Sequence, residues 1–360
     1  MYECISCGRT YELSSKAPWR CECGNALDFA DPGRPDTATP PQLTRDSIWD
    51  FEALLPITEQ VSLGEGWTPL VDASNRSATY KLEWLFPTGS FKDRGAAVTL
   101  SHALELGVER VVEDSSGNAG AAIATYAARA GLEAEIFVPA DAKERKLRAI
   151  ERTGAAVRRI DGSRQAVTDA CIDALEPTGG ETVYASHAWN PAFFEGTATF
   201  AYEIAAQRDW SVPDAVVVPL GHGTLFLGAY RGFERLVECG WTDSMPRLYG
   251  AQAAGVAPIV ADRHGASRAE GSNDVADGIQ ITRPARRQQI HDAIENTSGD
   301  AVAIDEDTTS AVLDGLHREG LYVEPTCAVA PAAFDRLRER GDIGADEDVV
   351  VALTGSGLKA

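Results

Sequence analysis

Phe-Pro-Thr-Gly-Ser-Phe-Lys-Asp-Arg-Gly, at residues 86–95, is the stretch that decides how the rest of this chain is interpreted. A β-rich run at 79–84 leads into it, and residues 91–106 carry apolar side chains at helical spacing. The sequence therefore predicts a strand, a turn and a helix, with Ser90 as the N-cap. Lys92 then falls in the first helical turn, where the positive end of the helix dipole disfavours a cation.

That placement of Lys92 suggests chemistry. The dipole and burial both favour the neutral amine over the ammonium form. A neutral amine is what imine formation with a carbonyl group requires. The alternative is a solvated surface lysine opposite Asp93, because helix ends select charge only weakly.

The length of 360 residues and a hydrophobic content of 44% allow two domains, or one large α/β unit with a small appendage. No run approaches the roughly 18 apolar residues of a membrane span. The first residues also lack the basic and apolar regions of a signal peptide. We therefore expect a cytoplasmic protein.

The chain is strongly acidic: 33 basic residues against 54 acidic ones give a net charge of −21. Nucleic acid and anionic membranes are therefore poor partners. Only six of the basic residues are lysines. An acidic, lysine-poor composition is typical of adaptation to high intracellular salt, which points to a halophile. The alternative is an ordinary acidic protein.

The cysteines divide into two kinds. Within residues 1–30, Cys4-x2-Cys7 and Cys21-x-Cys23 are each followed by glycine, a pattern similar to a zinc ribbon with four thiolate ligands. Zinc held in this way would be structural, since no coordination position stays open. The second pair is one residue short of the usual spacing, and a cysteine-containing loop is the alternative. The remaining cysteines are predicted to be reduced core residues: Cys171, Cys239 and Cys327.

From residue 79 onward, strand and helix patterns alternate. The β-rich runs are 110–113, 135–138, 156–160, 182–184, 215–218, 247–250 and 348–353, and the helix-like segments include 117–130, 143–153, 163–175, 192–208, 224–239, 305–319 and 328–340. Such alternation predicts an α/β fold of parallel sheets with helices on both faces. Residues 31–46 have the composition of a linker.

Ligands in such folds bind at loops that follow the strands. Ser115-Ser116-Gly117-Asn118 opens a helix with hydroxyls, an amide and free N–H groups, which suit a carboxylate or a phenolic oxygen. Gly221-His222-Gly223-Thr224 offers N–H donors and a hydroxyl to a phosphate. Thr354 follows the last β-rich run and could meet a ring nitrogen. Taken singly, these loops are equally consistent with helix caps, a turn and a chain end.

The order of these motifs resembles the pyridoxal-phosphate (PLP) enzymes of the tryptophan-synthase-β fold. The lysine motif at 87–95, the cysteine-rich start, Asn190-Pro191, Glu195-Gly196-Thr197 and the closing Thr354-Gly-Ser-Gly-Leu-Lys are similar to the threonine synthase family. The resemblance covers nearly the whole chain. It implies two α/β domains: a small one at 79–189 and a large PLP-binding one at 190–360, begun within 31–78.

The resemblance also implies a role for each residue of these motifs. Lys92 would bind PLP covalently and move protons at the substrate's carbons. The other cofactor contacts would be Asn118 with the phenolic oxygen, Gly221, His222, Gly223 and Thr224 with the phosphate, and Thr354 with the pyridine nitrogen. Ser115, Ser116, Gly117 and Asn190 would bind the amino-acid substrate, Cys4, Cys7, Cys21 and Cys23 would bind zinc, and the chain would form a homodimer.

The family converts O-phosphohomoserine and water to threonine and phosphate, but this chain departs from its pattern. Many members carry an arginine and a lysine near the Asn-Pro stretch, where this chain has phenylalanine and alanine in 192–199. A phosphate without those cations loses its strongest contacts. Replacement cations would be Arg94 or residues of 143–148. A serine or threonine lyase, a β-replacing enzyme that uses phosphoserine, or a non-catalytic PLP- or zinc-binding protein are therefore the alternatives.

Overall fold

The structure is a computed structural model that describes residues 1–35, 39–175 and 182–359. These residues form two compact units. The first contains Met1–Pro35, Pro41–Gly66 and Lys92–Thr197, and the second contains Trp67–Phe91 and the chain from Ala198 onward. Part of the predicted linker, residues 36–38, lies outside the described residues.

The secondary structure follows the predicted alternation. In chain order, the strands are β1 (Tyr2–Glu3), β2 (Thr10–Tyr11), β3 (Asp28–Phe29), β4 (Leu70–Asp72), β5 (Thr79–Lys81), β6 (Arg110–Glu113), β7 (Glu133–Pro139), β8 (Ala156–Ile160), β9 (Thr182–Tyr184), β10 (Ala215–Pro219), β11 (Arg247–Ala253), β12 (Asp300–Ile304) and β13 (Val349–Ala352). The helices are α1 (Lys92–Glu105), α2 (Asn118–Ala130), α3 (Glu144–Glu151), α4 (Arg164–Asp173), α5 (Pro191–Ala206), α6 (Thr224–Glu238), α7 (Pro258–His264), α8 (Arg287–Asn296), α9 (Glu306–Arg318) and α10 (Pro325–Arg340).

The first unit is built on a parallel sheet with the strand order β8-β7-β6-β9. Val112 of β6 pairs with Tyr184 of β9, so the loops that follow these two strands leave the same edge of the sheet. Below that edge, Val112, Phe137 and Tyr184 share a core with Cys171 of α4. A smaller antiparallel sheet, β2-β1-β3, holds the cysteine-rich start.

The second unit is built on a sheet with the order β12-β11-β10-β13-β5-β4. Its central strand β10 is buried along its whole length, as expected for a parallel strand covered on both faces. Val217 of β10 pairs with Val351 of β13, so the loops after these strands also share an edge. β5, which the sequence groups with residues 79–189, pairs with β13 in this sheet.

The predicted α/β class and parallel sheets are confirmed. The edge strand β4 differs, because it pairs antiparallel with β5. The strand predicted over 79–84 ends at Lys81, whose buried ammonium donates to Thr68 O and Glu203. None of the helices in the described ranges is long and apolar enough to cross a bilayer.

Candidate active site

The turn before Lys92 is hydrogen-bonded to the C-terminal motif. The Phe91 N–H donates to Thr354 O at 3.1 Å, and the Ser356 N–H donates to Gly89 O at 2.9 Å. Gly89 has φ +78°, a conformation that favours glycine. The fold therefore brings together two predicted motifs that are more than 250 positions apart in the chain. The predicted cap role of Ser90 is wrong, since its buried Oγ has no hydrogen-bond partner among the described residues.

Lys92 is the first residue of α1 and is half-buried. Its Nζ lies 5.9 Å from the ring centroid of Phe193, which is fully buried. Phe193 reaches this place because residue 95 is glycine: a Cβ there would lie 2.0 Å from the phenylalanine Cδ1. The amine thus combines a helix N-terminus with an aromatic face, in a position where the sequence predicted a functional lysine.

The loop predicted to bind the substrate, Ser115–Gly117, connects β6 to α2. Gly117 is the N-cap of α2, and no side chain caps the helix. A Cβ on Gly117 would meet only Ser115 Oγ, at 3.8 Å, so the backbone there is open. A Cβ on Gly120, by contrast, would lie 1.9 Å from Ser115 O, so the helix supports the loop directly. An open, supported helix N-terminus suits a carboxylate.

Asn190 has structural duties in addition to any contact with substrate. Its Nδ2 donates to Tyr184 O at 3.0 Å, and its Oδ1 accepts from the Ala192 N–H at 3.0 Å. The side chain therefore fixes the start of α5 to the end of β9. Asn190 also lines a cavity of about 480 Å³ with Trp19 and Trp189. Its predicted contact with substrate stays a prediction.

The phosphate loop predicted at Gly221–Thr224 lies between β10 and α6 in the second unit. Gly223 is the N-cap of α6, with φ +82° and no side-chain cap. A Cβ on Gly223 would lie 2.7 Å from Ile290 Cδ1, and one on Gly221 would lie 3.1 Å from Ile279 Cα. The positive φ of Gly223 therefore favours glycine, and a side chain at Gly221 would crowd Ile279. A glycine loop at the N-terminus of a helix is suited to an anion.

Thr354, at the end of β13, is buried and held by a cysteine that the sequence assigns only to the core. Cys327 Sγ accepts from the N–H groups of Thr354 and Gly355, at 3.1 and 3.0 Å. It donates in turn to Gly355 O at 3.2 Å. Burial raises the pKa of Cys327 to about 12, which keeps the thiol neutral for this donation. Cys171 is also buried, and Cys239 is partly exposed.

Two further residues were not singled out in the sequence. Glu113, the last residue of β6, is fully buried, and its Oε1 lies 2.8 Å from His187 Nδ1. The ring of His187 contacts Phe193 edge-on, with centroids 6.2 Å apart. The available signal was an acid at the end of an otherwise apolar strand, next to a predicted substrate loop.

The proposed replacement cations differ in burial, and Lys146 of α3 is half-buried. Arg94 is fully buried within α1. Lys143, Arg145 and Arg148 are exposed at or on α3, as charges on a helix face usually are.

The four N-terminal cysteines lie together. Their Sγ atoms are all within 4.8 Å of one another, and Cys4–Cys23 and Cys7–Cys21 are each 3.5 Å apart. The two turns match: the Gly8 N–H donates to Cys4 O, and the Gly24 N–H donates to Cys21 O. Both glycines have positive φ. Sulfur ligands about 2.3 Å from a tetrahedral zinc ion require separations of this size.

This cysteine module contacts the far end of α1. Tyr2, two residues before Cys4, places its hydroxyl 2.6 Å from His102 Nε2 in the last turn of that helix. Phe29 of β3 lies against the same imidazole, with ring centroids 5.3 Å apart.

The predicted site residues are thus distributed as follows. Lys92, Ser115, Ser116, Gly117, Asn118 and Asn190 belong to the first unit, and Gly221, His222, Gly223, Thr224 and Thr354 belong to the second. In the first unit, α1 packs along α2, so helices beginning at Lys92 and Asn118 lie side by side. In the second unit, the phosphate loop and Thr354 follow adjacent parallel strands.

Comparison with known proteins identifies the family. The family model for pyridoxal-phosphate dependent enzymes matches residues 61–355. The chain therefore belongs to this family, has the tryptophan-synthase-β type of fold and is a PLP-dependent lyase.

The relatives are more specific than the family. The threonine synthase of Methanocaldococcus jannaschii is 34% identical over 380 aligned residues, covering 100% of this chain and 93% of the relative. That of Methanosarcina acetivorans is also 34% identical, covering 99% of this chain and 91% of the relative. Among solved structures, maize serine racemase superposes with a TM-score of 0.67 and 21% identity, covering 81% of this chain and 88% of that one. At that identity, the likeness describes the fold alone.

Proposed function

We propose that this enzyme is a threonine synthase that converts O-phospho-L-homoserine and water to L-threonine and phosphate. The observation that carries the proposal is the similarity to threonine synthases along the whole chain. That similarity includes the cysteine-rich start, which lies outside residues 61–355 of the family match.

The residues present fit PLP. The positive φ of Gly223 favours glycine, a Cβ at Gly221 would crowd Ile279, and α6 has no side-chain cap, so the loop is suited to the cofactor phosphate. Lys92 would hold the aldehyde carbon, Asn118 the phenolic oxygen and Thr354 the ring nitrogen. When bound, PLP accepts the electrons released as bonds to the substrate's α carbon break.

The chain's own groups do the rest. The loop Ser115–Gly117, where the Gly117 N–H donates to Ser115 Oγ at 3.3 Å, would orient the substrate by its carboxylate at the N-terminus of α2. Lys92 Nζ would take and return protons at the substrate's carbons, a role that requires a neutral amine. The fully buried Phe193 would keep water from that amine, because its ring lies beside it.

A second candidate is elimination or β-replacement on serine, threonine or phosphoserine. The observation that favours it is the composition of residues 192–199 in α5, which have buried phenylalanine and alanine where the resemblance to threonine synthases leads us to expect cations. An aromatic ring near Lys92 gives a substrate phosphate no charged partner.

We propose that a structural zinc ion is bound by four ligands: Cys4, Cys7, Cys21 and Cys23. Four mutually close sulfurs in two matching turns support it. Asn25 donates to Cys23 Sγ at 3.4 Å, and this hydrogen bond is the largest cause of a Cys23 pKa lowered to about 6. A hydrogen bond to sulfur favours the thiolate, which is the form that binds metal.

The cofactor assignment is tested with Lys92→Ala. Wild-type protein with PLP should show a visible absorption band, and borohydride should fix the cofactor to a peptide containing Lys92. The variant should bind PLP without either property. The assignment fails if the reduced cofactor is found on another residue.

The substrate assignment is tested with a panel read by cofactor absorbance and product analysis. Stoichiometric phosphate and threonine from O-phosphohomoserine support the synthase. 2-Oxobutanoate from threonine supports the second candidate. If none of the amino acids changes the cofactor spectrum, both functions are wrong.

A further inference from the structure

The buried acid at the end of β6 differs from the acid that follows it. Asp114 accepts hydrogen bonds from Tyr184 at 2.9 Å, Thr168 at 2.6 Å and Arg164 at 3.2 Å. Glu113 is 0% exposed, and its Oε2 has no hydrogen-bond partner among the described residues. Asp114 thus accepts hydrogen bonds from three residues, whereas the described partner of Glu113 is His187.

Such surroundings favour a neutral carboxyl at Glu113. Burial, followed by the charge of Asp114, raises the pKa of Glu113 well above its ordinary value. The charges of Arg164 and Lys92 and a hydrogen bond from the backbone N–H of His187 lower this pKa without reversing the shift. The other titratable groups that face it, Cys171 of α4 and Tyr184 of β9, have raised pKa values and bring no charge. The cluster therefore contains a resident proton.

His187 lies between Glu113 and the phenylalanine ring that Lys92 contacts. The imidazole lies between Glu113, at 2.8 Å from its Nδ1, and the ring of Phe193. Lys92 Nζ lies over the same phenylalanine ring. His187 follows β9, and the substrate loop follows β6, so both are at one edge of the sheet. Nothing in the mechanism so far uses this pair.

We propose that Glu113 and His187 form a proton-carrying pair for the oxygen atoms that leave and enter the substrate, with His187 as the catalytic residue and Glu113 as the residue that positions and reprotonates it. The inference rests on the proposed function and holds for both candidates. A protonated leaving oxygen also lessens the need for cations that α5 lacks.

The pair gives up one proton and regains it in each reaction cycle. As the C–O bond breaks, its electron pair stays with the oxygen, which takes the proton from His187 Nε2. The Glu113 proton moves to Nδ1, so the pair is left with one proton fewer. The electrons of the new C=C bond come from a C–H bond whose proton goes to Lys92 Nζ. When water adds to the substrate in the synthase reaction, its proton returns to Nε2 and restores the pair, and Lys92 returns its proton to carbon. In elimination no water adds to carbon, and the pair regains a proton from solvent as Lys92 gives up the one that it took.

Substrates that differ only in leaving group test this step. Serine must expel a hydroxyl, which requires a proton, whereas β-chloroalanine expels chloride, which does not. In Glu113→Gln, His187 loses the group that reprotonates it, so elimination from serine should fall by up to about 100-fold, the size expected for a lost general acid. Elimination from β-chloroalanine should stay within a few-fold of wild type. With O-phosphohomoserine, Glu113→Gln should slow both threonine formation and phosphate release, as it slows elimination from serine.

Glu135→Gln is the matched control. Glu135 is a buried acid of the adjacent strand β7, but it pairs with Arg110 and Arg158. The Glu135→Gln substitution should not alter the ratio of the elimination rates from serine and β-chloroalanine. Equal slowing of both substrates in Glu113→Gln, or of neither, overturns the proposal. If that variant does not fold, His187→Gln takes its place with the same criteria.

Infrared spectroscopy supplies a readout that is independent of activity. Cofactor-free wild type in D₂O at neutral pH should show the carbonyl stretch of a protonated carboxyl group, which Glu113→Gln or His187→Gln should remove or shift. Absence of the band in wild type overturns the proposal. If wild type converts neither serine nor O-phosphohomoserine, the proposed function is wrong. The infrared result then tests by itself whether Glu113 and His187 hold a proton.

Discussion

Burial of the Glu113 carboxyl should make the stability of the chain depend on pH. In the unfolded chain, a glutamate loses its proton near about pH 4.3. In the folded chain its pKa is raised by burial, so the folded state holds one more proton above that pH. The stabilisation is therefore complete below the unfolded pKa and is lost as pH rises through the folded pKa.

Glu113→Gln cannot titrate and should escape this loss. Its free energy of unfolding, relative to wild type, should increase with pH above about 4.3 by up to about 1.4 kcal/mol per unit, because one proton is linked to folding. Urea titrations of the cofactor-free proteins from about pH 5 to about pH 8 measure it. Parallel pH profiles for the two proteins would mean that Glu113 is ionised when folded.

At this scale the sequence predicts best where a residue breaks a local rule. Lys92 is singled out by the sequence because a cation is unusual in a first helical turn, and the structure places it at the first residue of α1. Cys327 was assigned to the core correctly, but its bonds to Thr354 and Gly355 join positions 27 and 28 residues apart. Glu113 and Asp114 look alike in the sequence, and only the donors that α4 and β9 supply distinguish them.

Among the elements, α2 is the one whose packing most directly shapes the candidate site. Gly120→Ala should lower the free energy of unfolding by about 1–3 kcal/mol, because its Cβ would meet Ser115 O at 1.9 Å. It should also raise the KM for the amino-acid substrate, since the displaced backbone belongs to the carboxylate loop.

Gly315→Ala is the control for that helix substitution. Gly315 lies within α9, with no atom within 4 Å of its added Cβ, so alanine should stabilise by about 0.5–1 kcal/mol. Urea titration measures both variants. Equal effects of the two changes would show that the close approach in α2 does not constrain the loop.

The cysteine module should depend on metal. Purified without chelators, the protein should contain about one zinc ion per chain, and Cys21→Ser should lose it. Because its short strands have little core of their own, residues 1–30 should then become sensitive to protease. Cys239→Ser, which alters a cysteine far from the cluster in sequence, should keep the zinc. Folded wild type with substoichiometric metal would contradict this prediction.

Strands and helices with strong patterns were predictable. β10 was recognisable from its unbroken Ala-Val-Val-Val run, and α6 from its spacing. β12 was not assigned, because three of the five residues in Asp-Ala-Val-Ala-Ile are alanine or acid, which have weak strand preference. α8 is mostly polar, and only Ile290, Ala293 and Ile294 are buried. The antiparallel pairing of β4 depends on its partner and leaves no trace in three residues.

For the whole molecule, a net charge of −21 is the dominant electrostatic fact. Arginine rather than lysine forms surface pairs such as Arg76–Asp335, Arg247–Glu347 and Arg287–Asp262. We expect the melting temperature to rise between dilute buffer and molar KCl, because the screening length falls from about 10 Å at 0.1 M to about 3 Å at 1 M. A neutral solute at equal osmolality is the control.

Full stability and activity in dilute buffer would contradict adaptation to high salt. The homodimer stays a prediction of the sequence, and sedimentation of the same samples would test it.

The contact between Tyr2 and His102 has a consequence for Lys92. Helix α1 is about 20 Å long. Lys92 lies at its N-terminus, and the cysteine module is hydrogen-bonded to its last turn through Tyr2 and His102. If the four cysteines were oxidised or lost zinc, we expect the contact between Tyr2 and His102 to weaken. The position of Lys92, at the other end of α1, would then be less well fixed. Activity would then depend on metal supply, although a zinc ion bound by the four cysteines would touch no reacting atom.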